Sequence, residues 1–402
     1  MVAMAGESGR RLSALDVTRT AAILGMIAIH VGGPWVYFPA GAWRVLHLAA
    51  GYAAGMFAVA AGVSLSLTLP ARGGSGWRAW SPTVLRGVVL FLLGLLVRPV
   101  AQQVLVILCV YGALFVIAPA FRRLLGWGLI ALGATLALAW PVISLAIRRR
   151  LRTPPPALDV SWGALTDPDA ARIVARTLLL DGAYPVPTWL ALMFIAWGAH
   201  RAGLLAPSRW VELAATGAAL VGLGFGGSAL VEAIWRPRAE ALAVLSAQGF
   251  AADEAVATVD HVYGVPLTLD WSGLLTAGHH SGTTFELLQI LAVAASTYAL
   301  AAGLATARAP GPAIAGVLAW PGRIALTLYV GHLLLLQTIP RLIADDAAPS
   351  GLVTGPLTAT GTTIELAVFW LVAFALGGLL RRRRGPLEWA VRRLTHLSPR
   401  KT

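Results

Sequence analysis

LDVTRTAAILGMIAIH, residues 15–30, reads as an apolar helix that carries Asp16 and Arg19 near one end and His30 near the other. At about 100° per residue, the eleven steps from Arg19 to His30 turn the chain through about 1,100°, which returns the two to within about 20° of one face. Asp16 falls on that side too. A rise of about 1.5 Å per residue sets guanidinium and imidazole about 16 Å apart along the axis. An ionised group facing hydrocarbon costs a few kcal/mol or more, so the stripe is expected to face the interior of a helical bundle. A local reading stands beside it: Asp16 pairs with Arg19 three residues on to secure the helix end, while His30 sits at the membrane interface, where an imidazole is easily hydrated.

The rest of the chain sets the context. Of 402 residues, 57% are hydrophobic and only 12% charged, a balance outside the range of soluble globular domains. A crossing of about 30 Å of hydrocarbon takes roughly 20 apolar residues. About ten such runs are expected, near 14–33, 46–69, 84–102, 104–121, 124–147, 188–206, 210–234, 286–306, 318–340 and 362–380. The fold class is therefore all-α, a polytopic membrane bundle forming a single domain over 1–402. The first run holds Asp16 and Arg19 and lacks a convincing small-residue cleavage site, so it reads as a retained helix rather than a signal peptide. A single cysteine, Cys109, excludes an intramolecular disulfide, and no metal site is expected.

The net charge of +13 does not describe a nucleic-acid binder, because the basic residues punctuate the ends of apolar runs instead of gathering on one face. All but Lys401 are arginine, which suits headgroup contact. With both termini cytoplasmic and Arg19 left aside, 19 basic residues fall on the inner side and 11 on the outer. RRRLR at 148–152 runs against that bias. Two longer connections, near 148–187 and 235–285, are expected to be extracytoplasmic and partly helical, and connections of that length are more often functional than mere spacers. The basic tail 381–402 is expected to be cytoplasmic, its RRRRGPLEWAVRRLTH lying along the membrane surface. No internal repeat, low-complexity tract or soluble second domain stands out.

Several stretches resemble known families. Arg19 followed after ten residues by His30 is the first-helix signature of the bacterial acyltransferase-three family. RLSALDVTRTAAILGMIAIHVGGPW also looks like the opening of YeiB-like proteins and of heparan-α-glucosaminide N-acetyltransferases. Further YeiB-like features are MFAVAAGVSLSLT at 56–68, AYPVPTWLALMFIAWGAHRAGLL at 183–205, HSGTTFELL at 280–288, GRIALTLYVGH at 322–332 and RGPLEWAVRRLTH at 384–396. Two departures are visible. Most YeiB-like proteins carry Asn where this chain has His30, and the glucosaminide acetyltransferases place their catalytic His in a stretch resembling YFPAGAW, where this chain has Ala40.

The resemblance implies a membrane acyltransferase that moves an acyl group, most simply acetyl, from cytoplasmic acyl-CoA to a hydroxyl or amine of a glycan, lipid or small molecule. Such chemistry needs a base, oxyanion donors and a carrier site. His30 suits the base, an imidazole titrating near neutrality. His332 and Tyr329, three apart on one helix face, resemble the late Tyr-x-x-His element of acyltransferase-three enzymes. The segment before the eighth run offers His279, His280 and Ser281 on the acceptor side. Arg19, oriented by Asp16, together with Arg86 and Arg323, would meet the phosphates of the carrier, since guanidinium matches that anion. Each residue also has a structural role open to it: a core or turn histidine, or an arginine anchoring a helix end on the positive side. The alternative function is a permease or export component for a small polar solute. No P-loop, HExxH, G-x-S-x-G or Rossmann fingerprint supports other enzyme classes. Membrane lipids are the expected surroundings, in a bacterial inner or plasma membrane, and a homodimer is compatible with this reading.

Overall fold

The computed structural model describes residues 2–32, 51–69, 77–101, 104–151, 157–260, 264–266, 271–343 and 359–395. YFPAGAW at 37–43, the TPPP at 153–156 and the last seven residues lie outside them. Every regular element among the described residues is a helix. The longer ones are α1 (Val2–Gly32), α2 (Ala53–Thr68), α3 (Ser81–Val97), α4 (Leu108–Ile117), α5 (Gly126–Leu151), α6 (Val186–Arg201), α7 (Trp210–Val221) and α8 (Gly227–Trp235). They are followed by α9 (Thr284–Thr306), α10 (Ala325–Ile343), α11 (Ala359–Leu379) and the tail helix α12 (Pro386–Thr395).

A helix lies on each of the ten apolar runs, but length separates them. Ser13–Gly32, Gly126–Leu151, Pro207–Trp235 and Thr284–Thr306 are long and apolar enough to cross a bilayer. A fifth crossing is made if Ala170–Asp181 and Val186–Arg201, bent by 49° where they meet, form one broken span. Ala53–Thr68, Ser81–Val97, Leu108–Phe121, Ala325–Leu336 and Thr363–Leu379 are apolar but shorter than the roughly 20 residues a perpendicular crossing needs.

Burial sorts the helices by position. α1 lies inside, packed against α2, α9, α10, α11 and the short helix Trp320–Arg323. α6, lying between α2 and α5, buries Leu192, Met193, Phe194 and Trp197 almost completely. By contrast Pro207–Trp235 is largely exposed, showing Val211, Leu223, Leu230 and Ile234 on its outer face, as expected of a helix bathed in lipid. Within it a π-helical turn, Gly222–Gly226, joins α7 to α8. Gln289 on α9 supports that turn, its Nε2 donating to Gly224 O (3.3 Å) and Ser228 Oγ (3.3 Å), while its Oε1 accepts from Tyr52 Oη (3.1 Å).

Both longer connections are partly helical, as anticipated, with short helices at Trp162–Thr166, Ala170–Arg176, Pro237–Ala247 and Ala252–Asp260. They are clamped to each other and to the bundle. Arg148, in the last turn of α5, donates to Ser144 Oγ (3.2 Å) and Pro266 O (2.7 Å). Its neighbour Arg149 lies over the ring of Trp271, 5.4 Å from the centroid. Two arginines of the RRRLR run are thus held by protein partners, which accounts for basic residues at that end without any appeal to membrane sidedness. Arg238 grips Asp260 through two bonds of 2.7 Å, and this hydrogen bonding raises the guanidinium pKa further.

Candidate functional site

One end of α1 is charged and mostly satisfied. Arg19 Nη1 meets Asp16 Oδ1 at 2.8 Å, the i,i+3 pair that the sequence offers, and Arg19 Nη2 donates to Ser64 Oγ on α2 at 2.6 Å. Arg323 approaches the other carboxylate oxygen, Nε to Oδ2 3.5 Å, and also donates to the Arg381 carbonyl at 3.3 Å. Asp16 is thus a buried anion shared between two cations from different helices. The backbones come equally close. Thr20 Oγ1 accepts from Gly322 N at 2.8 Å, and a β-carbon at Gly322 would collide with the Asp16 carbonyl oxygen, so only glycine fits there.

Arg86 on α3 stands beside this cluster, near enough to feel the charges of Arg19 and Glu388. Its guanidinium lies over the Phe115 ring, 4.8 Å from the centroid, and its Nε is buried without a hydrogen-bond partner among the described residues. A buried donor left unmade costs about 1–3 kcal/mol. An anionic ligand is the partner such a donor would take, and phosphate oxygens match its geometry.

The other end of α1 is neutral and ordered by hydrogen bonds. His332 Nδ1 lies 3.0 Å from Leu328 O, a carbonyl that can only accept, so Nδ1 carries the proton. In the neutral ring, Nε2 must then accept, and it meets His30 Nδ1 at 2.8 Å with the two rings only 7° from parallel. The proton between them therefore belongs to His30 Nδ1. That leaves His30 Nε2 with its lone pair and no partner among the described residues. Tyr329 packs its ring edge-on to His332, centroids 5.5 Å apart, and its Oη accepts from Ile107 N at 3.4 Å, which keeps the phenolic proton available for donation. His332 is buried and His30 half-buried.

The ends keep register. From Thr20 to His30 is ten residues, as is Gly322 to His332, and the members of each pair touch across the interface. At about 1.5 Å per residue the two contacts stand about 15 Å apart.

The HSGTTFE segment closes the imidazole end. Glu286, in the first turn of α9, accepts from His280 N (2.6 Å) and Gly282 N (2.6 Å), while Thr283 caps the helix through its side chain. This holds His280 in the left-handed region at φ 59°, which a non-glycine residue adopts only under constraint. The constrained ring lies edge-on to Tyr184, centroids 5.9 Å apart, on the side of the bundle that holds His30. Gly282, at φ 64°, uses the same region freely. Ser281 is fully buried with its hydroxyl against Thr283 Oγ1 at 3.0 Å, which makes it part of the turn. His279 stacks edge-on with Tyr52, 5.2 Å away.

The structure thus gathers the sequence-derived residues into two groups on α1: Asp16, Arg19, Arg86 and Arg323 at one end, and His30, His332, Tyr329 and His280 at the other. It adds Ser64, Glu286 and Glu388. Glu388 is instructive, because the G-P-L-E-W element marks it as distinctive without revealing its task. Its carboxylate accepts from Leu326 N (2.8 Å), Thr327 N (3.1 Å) and Thr327 Oγ1 (2.5 Å), capping the N-terminus of the helix that carries Tyr329 and His332. The signal available was an isolated acid in an otherwise basic tail.

Two family models match the chain. Residues 11–218 match the family described as heparan-alpha-glucosaminide N-acetyltransferase, catalytic, a stretch that includes Asp16, Arg19 and His30 of α1. Residues 255–398 match a family described as a protein of unknown function, DUF418, which takes in the HSGTTFE turn, α10 and the tail helix. No curated protein matches the chain. The apolar helices and the first match together describe a multi-pass membrane protein of acetyltransferase type.

Proposed function

The chain belongs to the heparan-alpha-glucosaminide N-acetyltransferase catalytic family, and from that premise we propose that it transfers an acetyl group from cytoplasmic acyl-CoA to a hydroxyl or amine on a glycan, lipid or small molecule. Both termini are cytoplasmic in this reading and the chain crosses a bacterial plasma membrane about ten times. The observation that carries it is the tautomer of His30 set by the Leu328–His332–His30 chain: an Nε2 lone pair that meets no partner among the described residues, at the far end of a helix whose near end clusters arginines.

The acceptor O–H or N–H gives its proton to His30 Nε2 as its oxygen or nitrogen attacks the thioester carbonyl. The carbonyl π electrons move to oxygen, and Tyr329, whose phenolic proton is not used by Ile107, would donate to that oxyanion. Collapse re-forms the carbonyl and breaks the C–S bond, and the departing thiolate takes the proton back from the imidazolium. His332 does not touch the reacting atoms; it is a positioning residue that keeps the Nδ1 proton on His30. Arg19, Arg86 and Arg323 receive the carrier phosphates, with Asp16 orienting Arg19 and Arg323. A carrier held there and reacting at His30 needs an arm of about 15 Å, which suits an extended pantetheine.

The purified chain in lipid nanodiscs, given labelled acetyl-CoA and a panel of sugars, amines and glycolipids, should move label to an acceptor. His30→Ala should lower the transfer by about 10²–10⁴-fold with only a small drop in unfolding temperature. Acetyl transfer surviving intact in His30→Ala, or solute uptake into vesicles with no dependence on acetyl-CoA, would overturn the proposal, the second in favour of a permease.

A further inference from the structure

The tail helix presents two faces of opposite character. Glu388, Val391 and Thr395 turn toward α3 and α10, where Glu388 serves as the cap described above. Its outer face shows Trp389, 54% exposed, beside Arg392 and Arg393, with Arg393 lying 5.3 Å from the centre of the Trp389 ring and Leu394, 50% exposed, at the margin. Directly before it, Arg381, Arg382, Arg383 and Arg384 are all exposed at the end of α11.

Charge is unbalanced here. Glu388 is the only acid after residue 380, and its carboxylate is turned inward, so the outer face is positive throughout. Arg382, Arg383, Arg384, Arg392 and Arg393 meet no carboxylate among the described residues. Arg381 is oriented in part by a bond from its Nη1 to Gly378 O at 3.4 Å, and its own carbonyl accepts from Arg323. A large indole left bare among unpaired guanidinium groups suits neither water nor hydrocarbon. It suits the headgroup zone, where Trp rests at the acyl boundary and each arginine gains about 1 kcal/mol from an anionic surface.

We propose that the Arg381–Arg384 run and the outer face of α12 form a binding site for the headgroups of anionic phospholipids. This contact steadies the start of α10 through Glu388. The occupant is a lipid rather than a soluble phosphate because the site pairs its cations with exposed indole and leucine, which a free anion has no use for. The inference stands on the tail's own geometry and holds whether or not the chain transfers acetyl groups. It reaches the imidazole pair only through α10, since Leu326 and Thr327 lie five to six residues before His332.

The test uses the full chain in nanodiscs of phosphatidylcholine mixed with phosphatidylglycerol, transferred to mild detergent, with retained lipids weighed by native mass spectrometry. Retention should favour phosphatidylglycerol severalfold, and Arg392→Gln with Arg393→Gln should reduce the preference while leaving the run beside α11 intact. Adding Gln at 381–384 should abolish it. Equal retention of the two lipids by the unaltered chain would overturn the site, as would full displacement of phosphatidylglycerol by inorganic phosphate. Hydrogen exchange tests the link: amides of 326–330 should be better protected with phosphatidylglycerol present, and Glu388→Ala should erase that difference without altering lipid retention. Protection that ignores the lipid would refute the coupling even if the lipid binds.

Discussion

The two ends of α1 solve one problem, a polar group inside an apolar bundle, by different means. At the Asp16 end the solution is ionic: one carboxylate is shared by Arg19 and Arg323, with Ser64 taking a further guanidinium donor. At the His30 end no ion pair is present among the described residues; two imidazoles and a backbone carbonyl form a directional chain whose last acceptor meets no partner among them. Charge gives the first end strength and tolerance of angle, while neutrality gives the second a defined proton position. The difference suggests that the first end binds and braces, and the second reacts.

Substitutions at each end should separate those roles, and the widest gap is expected at His30. His30→Ala should lower acetyl transfer by about 10²–10⁴-fold, the usual worth of a general base, with little change in unfolding temperature. His332→Ala should act in the same direction but less, because His30 would keep its position in the helix and lose only the control of its tautomer. Steady-state rates measured beside circular-dichroism melts would decide it; a His30 variant that failed to fold would make this end structural too.

Asp16→Asn should show the reverse. Asp16 is buried while its guanidinium partners are partly exposed, so removing its charge should cost about 1.5–3 kcal/mol, because the two guanidinium groups would then face each other without their anion. A melt in nanodiscs should register that loss even with no substrate present. Arg86→Gln comes next in size: its orphaned Nε suggests a ligand contact, so KM for acetyl-CoA should rise about tenfold, the worth of one charge-assisted hydrogen bond, with kcat little changed. A fall in stability with KM unaltered would instead mark Arg86 as a packing residue over Phe115.

How far these features could be read without coordinates depends on their range along the chain. Local ones were open to view. Helices fall on all ten apolar runs, the Asp16–Arg19 pair follows from a three-residue spacing, and the inward stripe follows from helical period. Contacts that close over long separations were not. His30 meets His332 across 302 residues and Glu388 meets Leu326 across 62, and no periodicity specifies which helices become neighbours. The family resemblance put both histidines on one roster without saying that one orients the other. The partner of Arg148, Pro266, lies 118 residues away, so counting charges along the chain does not reveal what holds that side chain. The orphaned Arg86 nitrogen and the left-handed His280 are products of packing, and only a folded backbone reveals them.

The smallest expected effect concerns a residue that belongs to neither end of α1 yet acts on the helix that joins them. Glu388 accepts from two amides and a hydroxyl at the start of α10, and losing a cap of this type costs about 1 kcal/mol. Glu388→Gln keeps the shape and one acceptor oxygen, so it should lose less stability than Glu388→Ala. If the cap serves only to hold the helix end, that order should show in melting alone and leave acetyl transfer untouched. If it also sets the register of Gly322 and His332 against Thr20 and His30, transfer should fall in the same order as stability while KM for acetyl-CoA stays constant, because the arginine end is braced independently by Asp16. A fall in transfer through KM alone would place the effect of Glu388 at the charged end, through its proximity to Arg86, and would remove the argument that the two ends are held in step by α10.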